Sequence, residues 1–392
     1  MSAGPATGWT EQIAAFADCD KVFALLEHPG DPILQTEAER LLHLSHAAGW
    51  FTAFADPDFP DFVPMVNTHL NAVGTNPDFV YGTATIDGSG SYVLSGERGT
   101  GLFVLLDINA GGLGVMDALG PSLATLDFDS LVFDSGGRFS LLLSAERPAD
   151  WAADWHRLDP AARTLSLRQA SYDWGQDREA RIAIERIDKV HASRRLAPDE
   201  IRSRLLALSG YPQRLAGMAL GFIKAQRDKG LWNRLEHDDW AGRGGVPGQH
   251  YYQGLFRLGA GEALVIETEL PERVRYWNIQ LSDMLWNSIE WVNRQSSLNG
   301  GQARIDGDGR FRAVIAREDP GVPNWLDPGG WDQGAIMLRW TEASCGPEPR
   351  LTVVPIDKLR DLLPAETPHV SPAEREAQLR ARRRAVQWRR RW

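Results

Sequence analysis

Side chains that can do chemistry are concentrated in the segment QHYYQG, residues 249 to 254. If this segment is a strand, alternation places Gln249, Tyr251 and Gln253 on one face and His250 and Tyr252 on the other. An imidazole titrates near neutral pH, and a phenol can donate a proton or bind an oxyanion. We therefore predict that His250 and Tyr252 are catalytic, with a solvated edge strand as the alternative interpretation.

A second polar cluster follows in residues 275 to 299. The pattern predicts a strand with one polar face, made by Tyr276, Asn278 and Gln280, opposite an apolar face. The loop behind it is rich in aromatic and amide groups, a composition typical of sites that grip a flat, partly polar ligand. The predicted substrate contacts in this cluster are Tyr276, Gln280, Trp286, Trp291, Arg294 and Asn299. The alternative is a hydrogen-bonded plug that closes a sandwich.

Two further segments contribute candidate ligand contacts. The first, HLNAVGTNPDFVY, offers His69 and Tyr81, whereas Asn76 and Asp78 have the composition of an ordinary turn. The second, DPGVPNWLDPGG at 319 to 330, combines proline and glycine so densely that it specifies one loop shape, which can hold Asn324 and Trp325 in place.

Several reaction classes lack their usual motifs. The sequence contains no phosphate-binding glycine loop, no dinucleotide fingerprint, no His-Glu-x-x-His helix and no Gly-x-Ser-x-Gly elbow. His43 and His46 have a spacing that suits a metal, but surface or packing roles are more common for such a pair. We therefore expect no metal and no organic cofactor, and an enzyme here would work by acid and base groups alone.

Composition indicates a globular protein that resides in the cytoplasm. The chain has 392 residues, 43% hydrophobic and 24% charged, with two cysteines and no basic, apolar leader at its start. No apolar run reaches the length of a membrane span. Residues 371 to 392 carry eight arginines and two glutamates, so the net charge of −10 divides into +6 there and −16 elsewhere. An acidic body argues against nucleic acid as a partner.

The basic tail has the signals of a helix. Ser371 and Pro372 are suited to the cap and first turn, and Leu379, Val386 and Trp388 are possible anchors. We expect this helix to dock on the acidic body or on a neighbouring subunit, which would make the protein a homo-oligomer.

The rest of the chain predicts a mainly β protein with helical insertions. Residues 11 to 57 predict two helices, the second starting at Asp31, and residues 195 to 228 predict a helix interrupted at Gly210 to Pro212. Short β-type runs include YVLSGE, GLFVLLDI, SLVFD and RFSLLLS. The predicted segments are a helical start (1–60), a first β lobe (61–190), a helical connector (191–242), a second β lobe (243–365) and the basic helix (366–392).

An internal echo relates the two β regions. DSGGRFSLLLSAERPADW (134–151) matches DGDGRFRAVIAREDPGVPNW (306–325), and Arg168 in LSLRQ matches Arg339 in IMLRW. In this alignment Asp150 and Trp151 correspond to Asn324 and Trp325. The simplest explanation is two related lobes in tandem, each burying one alternating face, although similar Asp-Gly turns also recur in unrelated proteins.

The second lobe resembles the domain of unknown function 1214 family, and a related 1254-type region precedes it. The motifs that carry the resemblance are GQHYYQG, RYWNIQLSD, NRQSSLNGGQARIDGDGRF, REDPGVPNWLDPGG and LTVVPIDKL, with NPDFVYGTATIDG in the first lobe. The resemblance implies a jelly-roll-like β fold and assigns no activity. Arg317 stands where the family pattern leads us to expect a histidine, so a role of that histidine does not carry over.

The leading functional hypothesis is a cofactor-independent enzyme that acts on a hydrophobic or phenolic small molecule, specifically a lyase. Elimination and retro-aldol steps need an acid, a base and positioning, which His250, Tyr252 and nearby amides can supply. The alternatives are a non-catalytic β-sandwich module that binds a carbohydrate or lipid, and a structural assembly protein joined through its basic helix.

Overall fold

The computed structural model describes residues 8–116, 121–189, 195–240, 245–246 and 248–389. Within them the α-helices are α1 (Gly8–Ala17), α2 (Pro32–Ala53), α3 (Pro198–Ser209), α4 (Tyr211–Asp228), α5 (Leu359–Leu362) and α6 (Pro372–Trp388). Short 3-10 helices span Asp18–Leu25, Phe128–Ser130 and Ile356–Lys358. None of the described helices is both long enough and apolar enough to cross a membrane.

The first lobe is a sandwich of two four-stranded sheets. Its strands are β1 (Phe79–Thr85), β2 (Tyr92–Glu97), β3 (Phe103–Asn109), β4 (Ser122–Asp127), β5 (Arg138–Ser144), β6 (Asp154–Arg157), β7 (Thr164–Ala170) and β8 (Arg181–Arg186). One sheet has the order β1-β7-β3-β4 and the other β6-β5-β2-β8. Their facing apolar residues, among them Leu94, Leu106, Leu141 and Leu167, form one core. The predicted strand SLVFD is absent, since residues 128–130 are 3-10 helical and β4 precedes them.

The second lobe repeats this arrangement strand for strand. After β9 (Arg234–Asp238) come β10 (Gln249–Arg257), β11 (Glu262–Thr268), β12 (Tyr276–Ser282), β13 (Ser297–Asn299), β14 (Phe311–Ala316), β15 (Trp325–Leu326), β16 (Gln333–Thr341) and β17 (Arg350–Pro355). The sheet orders are β10-β16-β12-β13 and β15-β14-β11-β17. Each matches a sheet of the first lobe, so the prediction of a mainly β protein with two tandem lobes is confirmed. Pairing is antiparallel except β5 with β6 and β14 with β15.

The register refines the predicted echo. Arg168 faces Tyr81 across β7 and β1, and Arg339 faces Tyr251 across β16 and β10, so these arginines are equivalent. The predicted match of Trp151 with Trp325 is wrong, however, because Leu142 pairs with Trp155 as Val314 pairs with Trp325. The lobe 1 loop is two residues longer before its tryptophan, with 13 positions from Leu142 to Trp155 against 11 from Val314 to Trp325, which an alignment by spacing to the nearest tryptophan cannot detect.

The proline- and glycine-rich loop at 319–330 has a structural role in the second lobe. The Asn324 side chain donates to the carbonyl oxygens of Arg304 and Arg312 at 2.7 and 2.8 Å and accepts from the Arg304 N–H at 2.9 Å. The indole of Trp325 donates to the Ala316 carbonyl at 2.9 Å. These contacts fix β15 against β14 and leave both side chains buried in the lobe, where they serve the fold.

The predicted helix start at Asp31 and the interruption at Gly210 are confirmed, whereas α1 begins at Gly8 and α2 ends at Ala53, some residues away from the predicted limits of 11 and 57. Asp31 caps α2 by accepting from the N–H groups of Ile33 and Leu34, and α3 gives way to α4 at Gly210. α2 and α4 pack together and against Leu255 and Trp286 of the second lobe. The predicted boundaries at 190–191 and 242–243 lie outside the described residues, and the division into five segments stays a prediction.

The basic helix α6 docks on its own chain and touches both lobes. Arg389 pairs with Glu179 of the first lobe at 2.7 Å, and Arg375 pairs with Asp319 of the second at 2.8 Å. Ser371 is the predicted cap, and it forms a capping box with Glu374. Of the predicted anchors, Val386 is buried and Leu379 is half-buried, whereas Trp388 is 72% exposed. Residues 390–392 of the predicted tail lie outside the described residues, and the homo-oligomer stays a prediction.

Candidate functional site

A cavity of about 180 Å³ lies where the two lobes meet, between the β1-β7-β3-β4 sheet and the β10-β16-β12-β13 sheet. Its wall is largely apolar and includes Phe79, Leu113, Trp240, Trp286 and Met337. Its polar lining residues are Thr75, Asn76, Tyr81, Thr83, Ser166, Arg168, Gln249, Tyr251 and Arg339. Concave, mostly apolar sites with a few convergent polar groups are the usual form of small-molecule sites.

Each lobe contributes one tyrosine and one arginine to this cavity. Tyr81 and Arg168 are cross-strand partners in the first lobe, and Tyr251 and Arg339 are partners at the equivalent place in the second. Directly opposed residues on antiparallel strands project from the same face of a sheet. The internal repeat therefore brings two Tyr-Arg pairs to one cavity.

The two guanidinium groups have different partners. Arg168 forms an ion pair with Asp107, which also accepts from the Thr125 hydroxyl at 2.6 Å. Arg339, 6% exposed, donates to the side-chain oxygens of Asn278 at 3.2 Å and Gln280 at 2.7 Å.

Arg339 also donates to the Gly74 carbonyl at 3.4 Å. Among the described residues no carboxylate pairs with Arg339, and the hydrogen-bond acceptors of its guanidinium are all neutral oxygens.

A buried hydrogen-bond network behind the cavity wall joins the lobes. Asp78 accepts from Tyr276 at 2.7 Å, from Asn299 at 2.6 Å and from Trp174 at 3.0 Å. Asn76 donates to the Tyr276 hydroxyl at 2.8 Å.

The same network reaches Arg339 through amides. Asn76 accepts from Asn278 at 3.0 Å, and Asn278 accepts from Arg339. The bonds that Tyr276 and Asn299 make to Asn76 and Asp78 join residues about two hundred positions apart in sequence.

Burial is the largest cause of the pKa shifts of Asp78 and Tyr276 in this network. It raises the pKa of the Asp78 carboxyl, although the hydrogen bonds from Asn299 and Tyr276 and the charges of Arg389 and Arg382 act in the opposite direction. It also raises the pKa of Tyr276 well above its ordinary value, and the nearby Asp78 charge adds to the effect. Tyr276 is consequently a proton donor in the folded protein.

The two cavity tyrosines keep a hydroxyl proton for a ligand. The Tyr81 hydroxyl accepts from the Asn76 N–H at 3.1 Å, and the Tyr251 hydroxyl accepts from the Val246 N–H at 3.3 Å. Neither hydroxyl donates to another described residue. Burial raises the pKa of Tyr81, against the charges of Arg339 and Arg168, so Tyr81 is protonated at neutral pH.

An aromatic cluster closes one side of the cavity. The Trp286 ring stacks on Phe222 with centroids 4.0 Å apart and lies 5.8 Å from the Trp240 ring. Trp286 has a left-handed backbone with φ of 60°. Gly74 has φ of 62° and lies so close that a Cβ there would be 2.6 Å from the Trp286 indole nitrogen.

The residues predicted to be catalytic do not line the cavity. His250 and Tyr252 lie on the other face of β10, where Tyr252 is buried in the core of the second sandwich. The Tyr252 hydroxyl donates to the Gly346 carbonyl at 2.5 Å, and the His250 ring lies 3.1 Å from the His237 ring, nitrogen to nitrogen. The predicted alternation is correct, but Gln249 and Tyr251, from the opposite face, meet the cavity.

The predicted substrate contacts are divided among several places. Tyr81 and Trp286 line the cavity. Tyr276, Gln280 and Asn299 belong to the buried network or its neighbouring amides. The remaining predicted contacts lie elsewhere: exposed His69, Trp291 beneath α6, Arg294 paired with Asp327, and the structural pair Asn324 and Trp325.

Arg168 and Arg339 were recognised in the sequence only as a repeat match. Their correspondence across the two lobes was the available signal, since a matched arginine inside a β run is an unusual residue to bury. No group of three or more His, Cys, Asp or Glu side chains comes together to hold a metal within the described residues. His43 and His46 both pack against Phe16.

The comparisons with known proteins give structural relatives without an assigned activity. No protein-family model and no curated protein matches the chain. A solved structure of an uncharacterised protein from Burkholderia cenocepacia is 27% identical with a TM-score of 0.83, covering 90% of this chain and 98% of that chain. A protein from Vibrio parahaemolyticus is 14% identical with a TM-score of 0.47, over 86% of this chain and 100% of that one. The resemblance to the domain of unknown function 1214 family stays a prediction.

Proposed function

We propose that the protein takes a small hydrophobic or aromatic molecule into the cavity between its lobes and acts on it there. The observation that carries this proposal is the convergence of two Tyr-Arg pairs on one largely apolar cavity. A dry cavity of about 150 Å³ is enough to bind benzene. The cavity of about 180 Å³ thus suits a single ring with small substituents.

The proposed chemistry is that of a lyase that uses tyrosine as its acid. In elimination and retro-aldol cleavage, negative charge develops on an oxygen of the substrate. Tyr81 holds its proton at neutral pH and can donate it to that oxygen, while the Arg339 guanidinium binds and orients the substrate. The titratable groups of the described lining are two tyrosines and two arginines, so the proton that the substrate loses passes to water.

Two matched tyrosine substitutions test the proposal. The protein is screened by thermal shift against single-ring phenols, aldehydes and acids, and the stabilising molecules are incubated with it for product analysis by mass spectrometry. We expect Tyr81→Phe to retain binding within about threefold and to lower turnover by about a hundredfold or more, the usual contribution of general acid catalysis. Tyr252→Phe removes the same hydroxyl from the opposite face of β10 and should leave both unchanged.

His250→Gln is the second control, because it changes the imidazole that the sequence analysis had chosen. Loss of turnover in His250→Gln or Tyr252→Phe, with Tyr81→Phe fully active, would return the chemistry to the face of β10 that carries His250 and Tyr252. Binding of a molecule without any turnover in the wild-type protein would favour a binding module in place of the enzyme.

A further inference from the structure

The two lobes place different side chains beside their equivalent arginines. Arg168 and Arg339 occupy matching positions in β7 and β16, and each has a strand of its own sheet beside it, β3 or β12. The cross-strand partner of Arg168 in β3 is Leu105, and Asp107 lies two residues after it. The cross-strand partner of Arg339 in β12 is Asn278, and Gln280 lies two residues after it. The first lobe thus places a carboxylate where the second places a neutral amide.

This difference leaves the cavity with one uncompensated positive charge. Arg168 and Arg339 are the only charged side chains of the described lining, and Asp107 neutralises Arg168. A buried guanidinium without a counter-ion is costly, and such groups normally pair with an anion. Arg339 is buried, and its partners are amide and carbonyl oxygens.

The nearest buried carboxylate of the network does not supply the missing charge. Asp78 is already bonded to Tyr276, Asn299 and Trp174, and the guanidinium charges that act on it belong to Arg389 and Arg382 of the C-terminal helix. Neutral asparagine side chains stand between Asp78 and Arg339.

We propose that the ligand carries a single carboxylate, which pairs with Arg339, and an apolar or aromatic body that packs against Trp286 and Met337. This inference rests on the proposed function, because it names the class of molecule that the inter-lobe cavity takes. It assigns Arg339 as the residue that decides specificity for an acid over its neutral analogue.

The hydrogen-bond donors of Arg339 that no described residue uses are suited to binding a carboxylate. The hydrogen bonds of Arg339 to described residues run from Nη1 to Asn278 and Gln280 and from Nη2 to Gly74. Its Nε–H and the second Nη2–H are left, and adjacent guanidinium N–H groups grip a carboxylate with two parallel bonds.

The hydroxyls of Tyr81 and Tyr251 supply two more donors, since each accepts one backbone hydrogen bond and keeps its own proton. One positive charge with a small set of donors suits a monoanion. A phosphate group carries nearly two negative charges at neutral pH and would leave one of them without a partner.

Matched pairs of small acids and their amides provide the test. Benzoate, phenylacetate, cinnamate and 4-hydroxybenzoate are titrated into the protein by calorimetry, each beside its carboxamide, which has the same shape without the charge. We expect at least one acid to bind about ten to a hundred times more tightly than its amide, as a charge-assisted contact implies.

Two substitutions should move that preference in opposite directions. Arg339→Gln should remove the acid preference and leave amide affinity within about threefold. Asp107→Asn removes the counter-ion of Arg168 and adds a second uncompensated charge to the wall, so acid affinity should rise by about threefold to tenfold. This gain is not expected from a residue with only a structural role, and it keeps the test valid if Arg339→Gln fails to fold.

The outcomes separate the inference from the proposed function. Equal binding of acids and amides would overturn the carboxylate assignment and leave the small-molecule cavity standing. No binding by either series would overturn both. An acid preference that survives Arg339→Gln and does not change in Asp107→Asn would overturn the assignment to Arg339.

Discussion

Asp283 provides a quantitative test of how the cavity wall is held. It follows β12 and opens the turn that carries Trp286. Its Oδ1 accepts from the N–H groups of Leu285 and Asn287 at 2.9 Å each, and its Oδ2 accepts from the Asn287 amide at 3.0 Å. Burial raises its pKa from 3.8 to about 6, although the bonds from Asn287 and Leu285 and the charge of Arg40 oppose the rise.

This pKa makes the folded protein bind the Asp283 proton more tightly than the unfolded chain does. The contribution to stability is therefore fully present below about pH 4 and is lost as the pH rises through about 6. A displacement of roughly two units corresponds to about 3 kcal/mol of the free energy of unfolding. At neutral pH the wild-type protein carries this full penalty.

Asp283→Asn should remove the penalty without breaking the turn. The asparagine oxygen can accept the two backbone N–H groups, and its new NH₂ group replaces the oxygen that faces the Asn287 amide. The Asn287 side-chain oxygen is buried and has no hydrogen-bond partner among the described residues. A half-turn of the Asn287 amide brings this oxygen into position to accept the new donor, and the Asn287 NH₂ group takes the place that the oxygen held.

Urea unfolding of the two proteins between pH 4 and pH 7.5 measures the effect. We expect the variant to gain on the wild type as the pH rises, by up to about 3 kcal/mol, with the change complete above pH 6. Asp134→Asn should differ from the wild type by a constant amount over this range, because backbone hydrogen bonds from Arg138 and Gly136 lower the pKa of that exposed carboxyl and its contribution to stability changes only below about pH 4. Parallel curves for Asp283→Asn and wild type would refute the reasoning.

Two further substitutions test the cavity wall and the docked helix. Gly74→Ala should displace Trp286, lower ligand affinity in calorimetric titration and destabilise the protein in urea unfolding. The matched control is Gly137→Ala, because Gly137 has a similar positive φ but open space where the new Cβ would lie. We expect Gly74→Ala to cost at least about 1 kcal/mol more than this control. Arg389→Ala should cost about 3–5 kcal/mol in urea unfolding, because it removes one member of an ion pair in which both side chains are buried.

The helix prediction has its own control in Arg380→Ala. The Arg380 side chain is 68% exposed and pairs with Glu376 one turn away on the same helix, so its loss should cost less than about 1 kcal/mol. Equal costs for Arg389→Ala and Arg380→Ala would mean that α6 does not fasten the two lobes. For the cavity wall, equal effects of Gly74→Ala and Gly137→Ala would show that the Trp286 contact is unimportant.

The sequence by itself determined the positions of several helix ends and the presence of two related β lobes. Local signals place the helix start at Asp31, the break at Gly210 and the capping box at Ser371, because caps and turns depend on residues within one helical turn. The echo between residues 134 and 306 correctly predicted two equivalent lobes, and alternation correctly divided the residues of β10 and β12 between two faces.

Only the tertiary structure decided which of those faces meets the other lobe. Alternation groups Gln249 with Tyr251 and His250 with Tyr252, but both groups contain residues that can do chemistry, so the pattern does not choose between them. The hydrogen bonds of Asp78 and Asn76 to the second lobe likewise depend on how two separate sandwiches pack.

The difference between Arg168 and Arg339 shows the same division. Both arginines and both neighbours, Asp107 and Gln280, can be read from the chain, but their equivalence appears only when the strand register is known. The energy of a buried charge depends on the groups packed around it in space. For this reason the sequence could supply the candidate residues, and only the packing of the lobes could show that no carboxylate among the described residues pairs with Arg339.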